Sequence, residues 1–186
     1  MVPQLTPAPV PGTGSRAALR IGLAGRADEL TAEGERVLRQ FGNVVRRPDV
    51  PAAELGTACG DGVDLVVRLD QEQPQFVSNA GERNTLLIYE AVIVVGLPVT
   101  LISAAAWPWY GEFSGKGAIE TWWCASGARA TTKALASVRA KGRGFIGPDR
   151  LRNELEPQMR IALARKLVGA AADCGRLQMG GDKCRE

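Results

Sequence analysis

Apolar and polar positions fall into blocks along the N-terminal half of the chain, and the blocks switch between strand and helix periods. ALRIGLAG (residues 18–25) is a short apolar run with β-branched Ile21, stopped by Gly25, the pattern of a buried strand. Asp28 or Thr31 can cap the helix that follows, in which Leu30, Gly34, Val37, Leu38 and Phe41 recur near the helical period before Gly42 stops it. NVVRRPDV (43–50) predicts a second short strand broken by Pro48, and PAAELGTACGDG opens with Pro51 at a helix entry. VDLVVRLD (63–70) predicts a third strand ending on Asp70. Alternation of this kind predicts a parallel sheet with crossover helices on its faces. Ligands of such sheets sit at the carboxyl ends of the strands, here the loops beginning at Gly25, Asp70 and Ser103.

TLLIYEAVIVV admits two readings. Its Val and Ile content favours a strand, whereas its length and its place between VDLVVRLD and VTLIS favour a buried crossover helix. In the helical reading Glu82 stands at or just before the N-terminus and Glu90 inside, about 12 Å further along and within roughly 80° of the same face. In the strand reading the two carboxylates share no site. All four tryptophans lie within residues 107–123, a density that marks a packed edge or an interface. ARATTKALASVRAKG predicts a helix with Leu135 and Val138 inward. PQMRIALARKLVGAAA predicts another, starting at Pro157 with Ile161, Leu163, Leu167 and Val168 as core candidates. The expected organisation is a flexible Pro-rich arm over 1–17, a Rossmann-like α/β domain with a mostly parallel sheet over 18–110, and an aromatic linker with a basic helical extension over 111–186.

Composition narrows the chemistry. The chain is 45% hydrophobic and 23% charged, with no apolar run long enough for a spanning helix, so a globular protein without a membrane span is expected. The start, MVPQLTPAPVPGTGS, has neither a basic nor a continuous apolar region and does not read as a secretory signal. Cys59, Cys124, Cys174 and Cys184 have no zinc-ligand spacing, so free thiols in a reducing cytoplasm and no metal are expected. With no histidine, any catalysis must run on carboxylates, cations and backbone. Residues 1–115 carry 9 Lys+Arg against 13 Asp+Glu, and residues 116–186 carry 14 against 7, giving net charges of −4 and +7. The basic part can meet nucleic acid, phosphates or another anionic surface.

GERNTLLIYEAVIVVGLPV (81–99) resembles the E-x7-E stretch of retaining GT-B glycosyltransferases, and ALRIGLAGRADEL and CGDGVDLVVRLD are similar in order to the strands of that family's donor-binding half. The resemblance covers about residues 18–103. It implies Glu82 near a donor sugar, Glu90 on the ribose hydroxyls, Gly81 and Gly25 where backbone approaches phosphate, and Arg26 in place of the family's upstream cation. A lone donor half implies a partner chain or a homo-oligomer. The same order of elements is also similar to nucleoside 2-deoxyribosyltransferase-like domains, which implies Glu90 as nucleophile assisted by Asp70. The expected function is therefore nucleotide or nucleotide-sugar binding, as part of a glycosyl-transferring enzyme with no separate cofactor. A nonenzymatic assembly protein using its tryptophans and basic helices for protein or nucleic-acid contacts is the rival reading.

Overall fold

The computed structural model describes residues 18–79, 109–142 and 148–178. Its first half follows the expected pattern. Strand β1 (Arg20–Ala24) leads into helix α1 (Glu29–Leu38), whose N-cap is Asp28: the carboxylate accepts from the Thr31 backbone N–H at 2.9 Å and from its hydroxyl at 2.7 Å. Strand β2 (Asn43–Arg47), a 3-10 helix (Ala52–Ala58) and strand β3 (Leu65–Gln71) follow. β2 and β3 flank β1 in parallel register, Ile21 standing opposite Val44 on one side and Leu65 on the other.

Beyond β3 the sheet reverses. Strands β4 (Gln75–Ser78), β5 (Trp109–Trp123) and β6 (Arg129–Gly142) are all antiparallel to their neighbours, giving one six-stranded mixed sheet in which β5 pairs with β3 and β4 on one side and β6 on the other. The fold is mixed α/β, and the expectation of a mostly parallel Rossmann-like sheet fails at this point. The stretch read as an aromatic linker is the central strand, and ARATTKALASVRAKG is strand β6, not a helix. The reason lies in side-chain alternation. Along β6, Ala134, Ala136, Val138 and Ala140 point inward, while Lys133, Leu135, Ser137, Arg139 and Lys141 are exposed. The period-2 pattern of a half-covered sheet overrides the helix propensity of Ala, Lys and Arg.

Helix α2 (Pro148–Asp173) lies across the inner face, carrying Pro157 within it rather than at its start. Its buried residues Leu151, Leu155, Met159, Leu163, Leu167 and Ala171 recur every fourth position. They meet a rail of glycines on β5. A Cβ added at Gly111 would stand 3.4 Å from Leu155 Cδ1, one at Gly115 2.6 Å from Met159 Sδ, and one at Gly117 3.1 Å from Leu163 Cδ2 and 2.6 Å from the Asp70 carbonyl oxygen. Between the inward Phe113 and Ile119, β5 thus presents only Gly115 and Gly117 to α2, and the Met159 and Leu163 side chains reach down to the strand. Leu69 of β3 is seated the same way, against Gly34 of α1. A second, smaller apolar cluster on the opposite face packs Leu55, Ala58 and Val63 against Ala24 and Val66.

Two covalent features correct the expected chemistry of the thiols. Cys59, after the 3-10 helix, is bonded to Cys124 at the end of β5 with a Cα–Cα distance of 5.7 Å, and Cys174 is also disulfide-bonded. No free cysteine occurs among the described residues. The first bridge ties the parallel half of the sheet to the antiparallel half across 65 residues of sequence.

Two outcomes follow for stability. Gly117→Ala should cost about 3 kcal/mol in urea denaturation, because the carbonyl it meets belongs to a paired strand, whereas Gly115→Ala should cost about 1 kcal/mol, because the Met159 thioether can swing aside; equal costs would contradict the rail. The double substitution Cys59→Ser, Cys124→Ser should lower stability by about 2–4 kcal/mol in the same assay.

Candidate functional site

Three parallel strands end on the same side of the sheet, and their ends open a cleft of about 520 Å³. β1 delivers Gly25 and Arg26, the loop after β2 delivers Asp49, and β3 delivers Arg68 and Asp70. Gly25 takes φ +146°, a backbone conformation open to glycine and strained for other residues. The far wall is α2, through Arg152, Glu156 and Arg160. The cleft therefore lies at the switch point of the parallel half, where β2 and β3 depart to opposite sides of β1.

Its floor is shaped by a β-bulge. β3 and β4 run in the same direction along one edge of β5, but their registers differ: Gln71 stands opposite Gly117 and Gln75 opposite Ser114. Three residues, Glu72, Gln73 and Pro74, therefore face only Lys116 and Gly115 across the gap. The Glu72 N–H still reaches the Lys116 carbonyl at 2.9 Å, and Pro74 has no N–H to offer the ladder. The surplus residue pushes Glu72–Pro74 into the cleft.

Charged groups in the cleft divide into saturated and unsaturated sets. Arg160 spans α1 and α2, donating to Glu29 at 2.8 Å and Glu156 at 2.6 Å, with its Nε buried and unbonded. The Asp28 carboxylate is spent on the α1 cap, and Asp70 Oδ1 accepts from the Gln71 N–H at 3.0 Å. By contrast, Asp49 stands between Arg26 and Arg68 at 3.5 and 3.8 Å, distances of ion pairing without a hydrogen bond. Arg152 has no ion pair or hydrogen bond among the described residues. The backbone of Glu29 and the Arg160 side chain hold the Glu29 carboxyl below its usual range. Among the described residues no group of three or more carboxylates and cysteines is placed to hold a metal.

Of the residues expected at a site, Gly25, Arg26 and Asp70 meet in this cleft, whereas Gly81, Glu82 and Glu90, with the ambiguous TLLIYEAVIVV, lie outside the described residues. The sequence reading missed Asp49, Arg68 and the α2 wall. Asp49 was visible only as the residue after Pro48, and the approach of α2 could not be read without its true partner strand.

A second surface is the outer face of β4, β5 and β6, opposite α2. Val77, Tyr110 and Leu135 are 61%, 50% and 55% exposed on it. Cross-strand pairs join Arg139 to Glu112 at 2.8 Å and Arg129 to Glu120 at 3.3 Å, while Lys116, Lys133 and Lys141 make no ion pair among the described residues. Lys116, Lys133 and Leu135 also line a shallow depression of about 260 Å³. The outer edge of β6 is partly closed by α2 and the turn after it: Lys166 donates to the Leu135 carbonyl at 3.1 Å, and Arg176 donates to the Thr131 carbonyl and the Thr132 hydroxyl. Trp122 packs over Gly56 and Trp123 against the main core, so both serve the interior and not an interface.

No family model and no curated protein matches the chain. Among solved structures, it is similar to a minor lipoprotein from Acinetobacter baumannii (10% identity, TM-score 0.46, covering 87% of this chain and 97% of that one). It is also similar to protein CT253 from Chlamydia trachomatis (11% identity, TM-score 0.40, 87% and 99%) and to the PelC dodecamer from Paraburkholderia phytofirmans (12% identity, TM-score 0.34, 83% and 95%). The antiparallel strands β4, β5 and β6 stand where a Rossmann-like donor half would continue in parallel, so the resemblance to both families is overturned, and the nucleotide-binding role loses the support it drew from that resemblance.

The α1–α2 contact beside the cleft makes a pH prediction. Glu33 accepts from Arg36 at 2.6 and 2.8 Å and from Arg165 of α2 at 2.6 Å, and the Arg36 hydrogen bonds in first place pull its carboxyl down to about 2. A depressed carboxylate stabilises the fold above its unfolded value and loses that contribution as pH falls toward the folded one. Stability should therefore decline between about pH 5 and pH 2, and Glu33→Gln should remove roughly 1 kcal/mol near neutrality while flattening that decline. Denaturation curves across this range, wild type against variant, check the sign.

Proposed function

We propose that the chain is a nonenzymatic assembly protein that uses the outer face of β4, β5 and β6 to join a second copy of itself. The observation that carries this reading is that face: a broad antiparallel surface with three exposed large apolar side chains among three lysines that have no ion pair. Apolar anchors ringed by like charges suit an interface with an acidic surface. Carboxylates for such a contact lie in the same chain, since residues 1–115 carry net −4 and residues 116–186 net +7. Two basic faces repel one another, so the contact is head to tail, the basic hairpin of one copy on the acidic half of the next.

The disulfides support a working compartment that is oxidising, in place of the reducing cytoplasm expected from the cysteine spacing. No helix among the described residues is long and apolar enough to cross a membrane.

Light scattering on the full chain with its disulfides intact tests the reading. At low salt the protein should run as an oligomer that dissociates as salt is raised. The triple substitution Lys116→Glu, Lys133→Glu, Leu135→Asp should give a folded monomer at every salt concentration. A wild-type monomer at low salt, or an oligomer unmoved by the triple substitution, would sink the proposal.

A further inference from the structure

The strand-end cleft contains guanidinium groups whose hydrogen-bonding capacity the protein leaves unused. A guanidinium carries five N–H donors in a planar fork matched to an oxyanion. Arg68 is only 20% exposed, yet its one partner is the Asp49 carboxylate at 3.8 Å, which it shares with Arg26 at 3.5 Å. Arg152 on the facing wall is exposed and has no hydrogen-bond or ion-pair partner among the described residues. The lining sets Asp49 between two of these guanidinium groups and carries four further carboxylates, of which Asp28 caps α1, Glu156 holds Arg160, and Asp70 and Glu72 lie on the bulge side. Other arginines are held more closely: Arg160, on the same cleft wall, holds two carboxylates at 2.6 and 2.8 Å, and Arg46 holds Glu35 at 2.6 Å.

We propose that the cleft is a binding site for a small oxyanion, a carboxylate or a phosphate, seated between Arg26 and Arg68 with Arg152 reaching across from α2. Asp49 is the resident competitor. In the empty cleft it keeps the two guanidinium groups apart and partly neutralised, and an arriving anion takes over their inward-facing donors. The α1 N-terminus adds a favourable potential nearby, although Asp28 already occupies its Thr31 N–H. Glu72 and Asp70 on the bulge side disfavour a ligand that is anionic all round, which sets a bias toward a compact anion held at the guanidinium end of the cleft.

The test is an NMR titration of the full, oxidised chain with inorganic phosphate and, separately, with acetate, following the arginine Nε–H signals, with sodium chloride at matched ionic strength as the reference. Saturable shifts of the Arg26 and Arg68 signals are expected with phosphate or acetate and absent with chloride, and the stronger of the two titrations names the anion. Arg68→Gln should weaken binding about tenfold, the loss of a charge-assisted hydrogen bond. Asp49→Asn should tighten it several-fold by removing the competitor, a gain that a misfolded variant cannot imitate. Arg165→Gln, outside the cleft, should bind as wild type does. Equal shifts with chloride, no saturation with either anion, unchanged affinity in Arg68→Gln, or weaker binding in Asp49→Asn would each overturn the proposal.

Discussion

Everything in this fold hangs on the close approach of helix α2 to the glycines of β5. Gly111, Gly115 and Gly117 leave room for Leu155, Met159 and Leu163 to reach down to the strand itself. The same helix packs along β6 and beside α1. Once it is seated, three further things are fixed. The inward alanines of β6 are covered, the edge of β6 is closed in part by Lys166, and Arg160 is brought within reach of Glu29 on α1. The cleft wall is thus a by-product of core packing.

The junction between the parallel and antiparallel halves explains where the open chemistry lies. β3 serves both halves, pairing with β1 in parallel and β5 in antiparallel. A strand in that position must end where its parallel neighbours end if a strand-end cleft is to exist, but β5 continues past it and needs a partner. The bulge at Glu72–Pro74 satisfies both demands, ending β3 at the cleft and restarting the same edge as β4 one register out. Polar residues are tolerated there because the ladder is already broken.

How much of this was legible in the sequence depended on the distance over which each element finds its partner. β1, α1, β2 and β3 were read correctly, Asp28 as a cap included, because their signals are local: an apolar run, a capping side chain, a stopping glycine. The placing of Gly25 and Asp70 at one cleft followed from the strand-end rule, whereas Arg26 had been named only through the glycosyltransferase resemblance. The antiparallel half was lost for a different reason. WYGEFSGKGAIETWW hides its inward face behind glycines, which register as loop formers although here they are the face that α2 needs. ARATTKALASVRAKG combines good helix formers with strict alternation, and the alternation was the stronger physical fact. Cys59 and Cys124 offered no spacing signal, because the bridge depends on the β3–β5 pairing that was not foreseen.

The two poles of the molecule also differ in how their charges are held, and that difference bears on what each can do. Along α1 the carboxylates Glu29, Glu33 and Glu35 are each locked to arginines at 2.5 to 2.8 Å, and all are held below the usual carboxylate range. Such groups are committed to structure, since any proton or ligand they took would have to displace a guanidinium first. The lysines of the outer hairpin face and the guanidinium groups at Asp49 are the opposite case, positive charges placed near the surface without a close counter-ion. Keeping like charges unpaired costs the isolated chain some stability, and a counter-charge arriving from outside recovers it. A fold that commits the arginines along α1 to close carboxylates and leaves these charges loose is biased toward partners at both places: an acidic protein surface on the hairpin and a small anion at the strand ends.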